Sequence, residues 1–246
     1  CVSNGLSAAS VSIQRGNENV LRARFADAKF FIAADKKLSC EERNKKIRKI
    51  SFLKGFGSLS DRVKRMEFIS EQIFNQIKDN DVNLPEILQA VKFSKHDLCS
   101  EIVYEFPELQ GVMGGKYLNN EGYSQNVSLA VSEHYLPRFN KDELPSTKYG
   151  SITSISDKFE TIISLFVSGK RPSGSSDPYA LRRNLNGIIQ IAWNFNFDIK
   201  FDVLVSESLD FWKENINEIS LNYEDVSNEI LEFIKQRVLS YLEEIS

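Results

Sequence analysis

The sequence predicts an all-α fold, and three observations support this prediction. Apolar residues recur at intervals of three and four along most of the chain, which is the period of an amphipathic helix. The alternation of apolar and polar residues that marks a half-buried strand is nearly absent. Helix-start signals precede periodic segments at two places. We therefore expect helices packed on helices.

Four segments carry the helical period, and we expect a helix over each of them. Their apolar positions are Leu21, Phe25, Ala28 and Ile32; Leu59, Val63, Met66, Ile69, Ile73 and Ile77; Ile152, Ile155, Phe159, Ile162 and Phe166; and Leu181, Leu185, Ile188 and Ala192. Ser39 is followed three residues later by Glu42, which predicts a capping box. Asp177 followed by Pro178 predicts an N-cap and the first residue of a helix.

Two segments are predicted to be loops. Residues 107–122 contain four glycines and a proline between helical stretches, and residues 168–178 are the stretch richest in Gly, Ser and Pro. The pair Gly114-Gly115 lies outside any phosphate-binding motif, and no strand is predicted before it. Tight turns between helices are therefore the expected role of these glycines.

Composition narrows the class of protein. The chain has 246 residues, of which 41% are hydrophobic and 26% charged, with a formal net charge of −3. These values exclude collagen-like, low-complexity and wholly disordered chains, and no apolar window reaches the roughly 18 residues of a membrane span. Three widely spaced cysteines without a CxxC pair favour a reducing compartment. The first residue is Cys1 and the first methionine is Met66, so we expect a fragment of a longer or processed polypeptide.

Charge is distributed unevenly along the chain. Residues 15–65 hold 15 Lys or Arg and 6 Asp or Glu, a net +9, whereas residues 207–246 hold 3 and 10, a net −7. A basic segment of this kind either binds phosphate or is the solvated face of a helix. Four cations form its densest cluster: Lys45, Lys46, Arg48 and Lys49.

The dipeptide His96-Asp97 is the first candidate for chemistry. In metal-dependent phosphohydrolases, a His-Asp pair helps to hold a metal ion that activates water. Such a site needs further ligands, and His134 and Asp157 are the available side chains. The alternative is a helix residue beside a packing or capping aspartate.

The segment from Asp177 to Arg183 is the second candidate. It reads DPYALRR, and its helix start would present Arg182 and Arg183 beside a loop that carries Lys170 and Arg171. Four cations in one place would bind a phosphate backbone. The alternative is that one arginine pairs with Asp177 or Glu160 and only fixes the helix.

Several longer motifs resemble one known family, the β subunit of bacterial-type, two-subunit glycyl-tRNA synthetase. In chain order they are GNENVLRARFADAKFF at 16–31, GSLSDRVKRM at 57–66, KHDLCSEIVYEFPELQGVMGGKY at 95–117, SEHYLPRF at 132–139, ELPS at 143–146, SDKFETI at 156–162 and PSGSSDPYALRR at 172–183. The resemblance extends from about residue 2 to about residue 205 and weakens in the acidic tail.

The resemblance implies a role in attaching glycine to tRNA(Gly). In the family, the long β chain binds tRNA, and a separate α chain activates glycine with ATP and Mg²⁺. Two α and two β chains form the enzyme, in the bacterial cytoplasm or the stroma of a bacterial-derived organelle. The chain would come from the middle to late part of β. It would bind no DNA and no membrane, carry no catalytic residue, and bind no cofactor itself.

The resemblance also implies a domain organisation. Residues 1–16 would end a preceding domain, 17–200 would form a helical HD-like domain with flanking helices, and 201–246 would begin an anticodon-binding helical region. An HD-like domain has the helical scaffold of HD phosphohydrolases without their full set of ligands. Family members commonly carry a small residue where this chain has His96.

We therefore expect His96, Asp97, His134 and Asp157 to be a degenerate site that binds no metal. The expected tRNA contacts are the cations of the two clusters described above: Lys170, Arg171, Arg182 and Arg183, with Lys45, Lys46, Arg48 and Lys49 as a second patch. Two alternatives remain, an HD-type metal-dependent phosphohydrolase and a purely structural module that braces β against α.

Overall fold

The computed structural model describes residues 10–172, 177–216 and 222–245, and within them the fold is all-α, as predicted. The helices are α1 Ser10–Asp35, α2 Cys40–Lys46, α3 Leu59–Ile77, α4 Leu84–Phe93, α5 Glu101–Glu105, α6 Val112–Asn120, α7 Gln125–Glu133, α8 Lys148–Val167, α9 Leu181–Phe195, α10 Phe201–Asn215 and α11 Tyr223–Ile245. Short 3₁₀ turns cover Ile47–Lys49, His96–Cys99 and Pro107–Leu109. The HD-like assignment stays a prediction.

Helix α8 is the centre of the molecule. It packs against α3, α4, α7 and α9, and against the later helices α10 and α11. Its apolar residues from Ile152 to Phe166 are buried as predicted, but the opposite face is buried as well. The polar side chains on that face, among them Asp157 and Glu160, therefore need partners inside the protein.

Of the two predicted helix starts, the first is confirmed and the second is wrong. The capping box is confirmed: Glu42 N–H donates to Ser39 Oγ at 3.2 Å, and Ser39 N–H donates to the Glu42 carboxylate at 2.8 Å. The prediction that Pro178 is the first helical residue is wrong, because α9 begins at Leu181. Asp177 still caps this helix from a distance, since it accepts the backbone N–H of Arg182 at 3.0 Å.

The segment predicted as a loop at 107–122 contains helix α6. Gly114 and Gly115 are buried within this helix, where it packs on α7. A Cβ atom on Gly115 would lie 1.9 Å from Ser132 Oγ and 2.3 Å from Ser128 O. The glycines thus allow two helices to approach closely, rather than forming the turns that the sequence favoured. Of the predicted loop at 168–178, residues 173–176 lie outside the described part.

The two ends of the described chain differ in how much of their apolar surface packs against the core. In α1, Ala28 and Ile32 contact the core, whereas Leu21 and Phe25 are 52% and 64% exposed. Helices α10 and α11 share the main core, and Trp212 of α10 is completely buried there. The domain boundaries at 16/17 and 200/201 stay predictions. None of the described helices has the length and hydrophobicity that crossing a bilayer requires.

Candidate functional site

The His96-Asp97 pair lies on a buried 3₁₀ turn that follows α4, not on an α-helix. Arg43 Nε donates to His96 Nδ1 at 3.4 Å, and the other ring nitrogen, Nε2, lies 3.2 Å from the carbonyl oxygen of Gly114. This arrangement requires a neutral ring that donates from Nε2. Burial, with the nearby Arg43 charge, lowers the pKa of His96 to about 4.

Asp97 caps the start of α6. Its Oδ2 accepts the N–H of Gly111 at 2.7 Å and that of Gly114 at 3.0 Å. Gly111 occupies the N-cap position and has no side chain to accept these bonds, so Asp97 supplies the acceptor from another segment. Burial raises the pKa of Asp97 to about 6, although the two N–H donors oppose the shift.

His134 and Asp157 meet at a third residue, Lys95. The Lys95 ammonium lies 2.8 Å from Asp157 Oδ1 and 3.0 Å from His134 Nε2. The other ring nitrogen of His134 lies 2.6 Å from Val131 O, which assigns the proton to Nδ1. Burial lowers the pKa of Lys95 to about 8, although the negative charge of Asp157 opposes the shift. Burial also lowers the pKa of His134, which keeps its ring neutral.

These side chains do not fit a metal ion. Both nitrogens of each imidazole are engaged, Asp97 accepts two N–H groups, and Asp157 faces the cation of Lys95. In the described part of the chain, no three His, Cys, Asp or Glu side chains are grouped to hold a metal. In a metalloenzyme a metal ion provides the positive charge between an imidazole and a carboxylate. Here the ammonium group of Lys95 provides that charge between His134 and Asp157.

Asp157 belongs to a larger buried ion network between α3 and α8. Arg62 donates to Asp157 Oδ1 at 2.9 Å and to Glu160 Oε2 at 2.7 Å, and Arg65 donates to Glu160 Oε1 at 2.9 Å. Although burial opposes the shift, Lys95 and Arg62 hold the pKa of Asp157 well below its usual range. Asp157 is therefore ionised at neutral pH, and the network links α3 to α8 through charge-assisted hydrogen bonds.

Sequence reasoning missed Lys95, Arg62, Arg65 and Glu160 as members of this network. One signal for them was present: Arg62 and Arg65 lie between the apolar positions of the α3 stripe, and Lys95 directly precedes the His-Asp pair. For the two arginines this signal is weak, because Lys64 lies between the same apolar positions and its side chain is 67% exposed. The identity of the buried partners requires the fold.

Acidification tests the two neutral histidines. Between pH 6.5 and 5 the unfolded chain binds more protons at His96 and His134 than the folded chain does, so the free energy of unfolding falls as pH falls. For a ring with the pKa of His96 this loss is about 2 kcal/mol. Asp97 acts in the opposite direction below about pH 6, because its pKa is raised in the folded chain. The Asp97→Asn variant should therefore lose more stability than the wild type between pH 7 and 5 in urea unfolding. A smaller loss in the variant would contradict these assignments.

The predicted cluster after α8 is only partly free to bind a ligand. Arg171 pairs with Glu229 of α11 and donates to a backbone carbonyl. The Lys170 ammonium lies 4.3 Å above the ring of Tyr179. Arg183 is exposed near the start of α9. Arg182, half-buried, and Arg183 thus lie in the first turn of α9, and Lys170 and Arg171 lie in the segment between α8 and α9, with Arg171 committed to an ion pair with α11.

Asp177 and Glu160, the acidic residues of the alternative interpretation, both accept hydrogen bonds from arginine residues. Asp177 accepts backbone N–H groups of Arg182 and Arg183, at 3.0 and 3.4 Å. Glu160 is held by arginines of α3. Asp177 therefore stabilises the start of α9 by accepting hydrogen bonds from the backbone of that helix.

The second predicted patch lies on the surface. Arg43 in the same run is buried, and its guanidinium lies 4.4 Å from the ring centre of Tyr117. The four predicted cations are all exposed on α2 and the 3₁₀ turn after it: Lys45, Lys46, Arg48 and Lys49. The run is thus a solvated helix face with one structural arginine, and whether its exposed cations bind phosphate stays a prediction.

Two adjoining pockets open beside α9. The larger, about 480 Å³, reaches Asp157 and Lys158 and is also lined by Arg183. The smaller, about 240 Å³, shares Pro137 and Arg183 with it. Lys158 is buried in the wall of the larger pocket, where its ammonium donates to the carbonyls of residues 135 and 136 at 3.1 and 2.9 Å.

Fold and sites together define a helical domain with a closed internal ion network, exposed cations and a polar cleft at its surface. The chain belongs to the glycyl-tRNA synthetase beta subunit family, whose model matches residues 1–246. The resemblance found in the motifs is thereby confirmed.

Curated relatives carry the name glycine–tRNA ligase beta subunit. The chain is 39% identical to the one from Bacillus subtilis over 241 residues, which are 95% of this chain and 35% of the relative. It is 40% identical to the one from Halothermothrix orenii, covering 99% of this chain and 34% of the relative. The chain thus spans about a third of the length of these relatives. The matches do not confirm the predicted middle-to-late position.

Proposed function

We propose that this chain is part of a two-subunit glycyl-tRNA synthetase and that it binds and orients tRNA(Gly). In this proposal the separate α subunit activates glycine with ATP and Mg²⁺, and two α and two β chains assemble in the bacterial cytoplasm or a bacterial-derived organelle. Membership of the β-subunit family is the observation that carries the proposal. Holding the acceptor end near the reacting glycine would lower the entropic part of the barrier.

The exposed cations support the proposed contact with tRNA. The half-buried Lys170 and the exposed Arg183 flank the start of α9, and the second patch adds four exposed cations in five residues, 45–49. Binding of phosphates by such side chains is electrostatic and weakens as salt increases. We assign no catalytic role to the buried histidines, because their ring nitrogens are already bonded inside the protein.

Charge reversal near α9 tests this function. We expect the double variant Lys170→Glu and Arg183→Glu to bind a tRNA(Gly) transcript about tenfold more weakly at low salt, with a salt slope smaller by about 2. The measurement is a binding titration at several salt concentrations. Lys213→Glu, which reverses a cation near the end of α10 that is exposed like Arg183, is the control and should bind like the wild type.

Two outcomes would count against the proposal. If the folded wild-type chain fails to bind tRNA at low salt, this segment is not a tRNA-binding part. If the double variant keeps the wild-type affinity and salt slope, the cations near α9 are not phosphate contacts. Salt-sensitive binding without preference for tRNA(Gly) would make the segment an electrostatic guide, with identity determined elsewhere.

Bracing of the synthetase is a second candidate function, and helix α1 favours it. Phe25 and Phe30 are 64% and 70% exposed, and Val20 and Leu21 are exposed beside them. These side chains lie on more than one side of α1, and among the described residues nothing covers them. Exposed apolar side chains in such number often contact another domain or subunit. A crosslinking map of the assembled enzyme with contacts from α1 to protein, and none from the chain to tRNA, would favour this function.

A further inference from the structure

The smaller pocket beside α9 has an unusual lining for a surface cleft. Three amide side chains contribute to it: Asn140 from the segment after α7, and Asn186 and Gln190 one turn apart on α9. Arg183 lies one turn before Asn186, and Phe139, 56% exposed, lies beside Asn140. None of its described lining residues is acidic.

The orientation of one amide is fixed by the protein. Arg237 Nε donates to Asn186 Oδ1 at 3.0 Å, so the NH₂ group of Asn186 is left to donate to another molecule. The side chain of Gln190 offers both a donor and an acceptor. Paired donors and acceptors in one plane match the edge of a nucleobase, which side-chain amides commonly recognise in unpaired RNA.

A glycine lets α9 pack closely on the protein beside the pocket. A Cβ atom on Gly187 would lie 2.9 Å from Lys158 Cε and 3.2 Å from a side-chain carbon of Pro137. The backbone of α9 therefore approaches the buried Lys158 directly. The pocket volume of about 240 Å³ is several times the volume of about 30 Å³ that one water molecule takes in the liquid. It accommodates one flat heterocycle.

The surroundings favour a nucleotide within a strand. Arg183 lies between this pocket and the larger one, where a phosphate attached to the bound nucleoside would lie. The larger pocket is also lined by Glu108 and Glu143, whose carboxylates are acceptors suited to ribose hydroxyls. Trp193 is 63% exposed and follows Gln190 by three residues on α9, so it offers a stacking surface for a neighbouring base.

We propose that the pocket formed by Asn140, Asn186 and Gln190 binds the base of one unpaired nucleotide of RNA, with Arg183 on its phosphate and Trp193 under a neighbouring base. This inference rests on the proposed tRNA-binding function and adds to it a site that reads an unpaired base. Phosphate contacts alone would bind paired and unpaired RNA without this distinction.

The test compares two RNA hairpins with the same stem, one blunt and one with a short single-stranded 3′ extension. We expect the wild-type chain to bind the extended hairpin more tightly. Gln190→Ala and Trp193→Ala should each lower that affinity about five- to tenfold and leave binding of the blunt hairpin unchanged. Gln72→Ala, a half-buried glutamine on α3 outside the pocket, is the matched control. Circular dichroism verifies that each variant is folded.

The outcomes separate this inference from the proposed function. Equal, salt-sensitive binding of both hairpins by the wild type would overturn the nucleotide pocket and leave tRNA binding intact. Failure to bind any RNA would overturn both. If free nucleoside monophosphates displace the extended hairpin at the affinity of the RNA itself, the site belongs to a small nucleotide, and the assignment to RNA is wrong.

Discussion

The Asp157→Ala variant is expected to lose roughly 3–5 kcal/mol of unfolding free energy, the cost of leaving a buried charge without its partner. Asp157 is the shared acceptor of Lys95, at 2.8 Å, and Arg62, at 2.9 Å. Both cations are held inside the protein, with side-chain exposures of 1% and 13%. Removing the carboxylate leaves the Lys95 ammonium with two uncharged close partners, the His134 ring nitrogen at 3.0 Å and the Tyr135 ring at 4.0 Å.

Urea unfolding at pH 7 measures this loss, and two variants make the result specific. Asp81→Ala removes an exposed carboxylate that pairs with Lys148 at 2.7 Å, and it should cost at most about 1 kcal/mol. The double variant Asp157→Ala with Lys95→Met removes one stranded cation, so it should be more stable than Asp157→Ala alone. A double variant at least as unstable as the sum of the two single losses would contradict the pairing.

The Trp212→Ala variant is expected to lose roughly 3–5 kcal/mol, as buried tryptophans do when truncated. Trp212 of α10 is the largest fully buried side chain of the described residues. Its ring nitrogen donates to Ser164 Oγ of α8 at 3.2 Å, and the Arg65 guanidinium lies 5.4 Å from its ring centre. Because these contacts join α10 to the central helix, the variant should unfold in a single transition at lower urea.

Trp193→Ala is the matched control for this prediction. Its side chain is 63% exposed on α9, so its removal should change the unfolding free energy by less than about 1 kcal/mol. If Trp212→Ala instead unfolds in two transitions, with residues before 201 keeping the wild-type midpoint, α10 and α11 form a separate cooperative unit. That outcome would support the predicted domain boundary at 200/201.

Long regular patterns in the sequence predicted the helices well. The α3 stripe from Leu59 to Ile77 and the capping box of Ser39 and Glu42 are local features, set by side chains within a few residues of one another. The family resemblance is also a property of the sequence alone, because it depends on ordered motifs. Fold class, family and the long helices α1, α3, α8 and α9 therefore needed no tertiary information.

Glycine and proline signals were less informative at two places. Gly114 and Gly115 predicted turns, but they lie within α6. They are glycines because α7 passes too close for a side chain. Asp177 and Pro178 predicted a helix start, and Asp177 caps a helix that begins four residues later. Both errors arise because a residue's role depends on what packs against it.

The sequence by itself determined an all-α member of the glycyl-tRNA synthetase beta subunit family and named His96, Asp97, His134 and Asp157 as a group. Only the tertiary structure divided that group, giving Asp97 to the start of α6 and Asp157 to Lys95 and Arg62. It also formed the pocket from Asn140, far along the chain from α9. Such pairings join residues distant in sequence, and burial selects each partner because an unpaired charge inside a protein is costly.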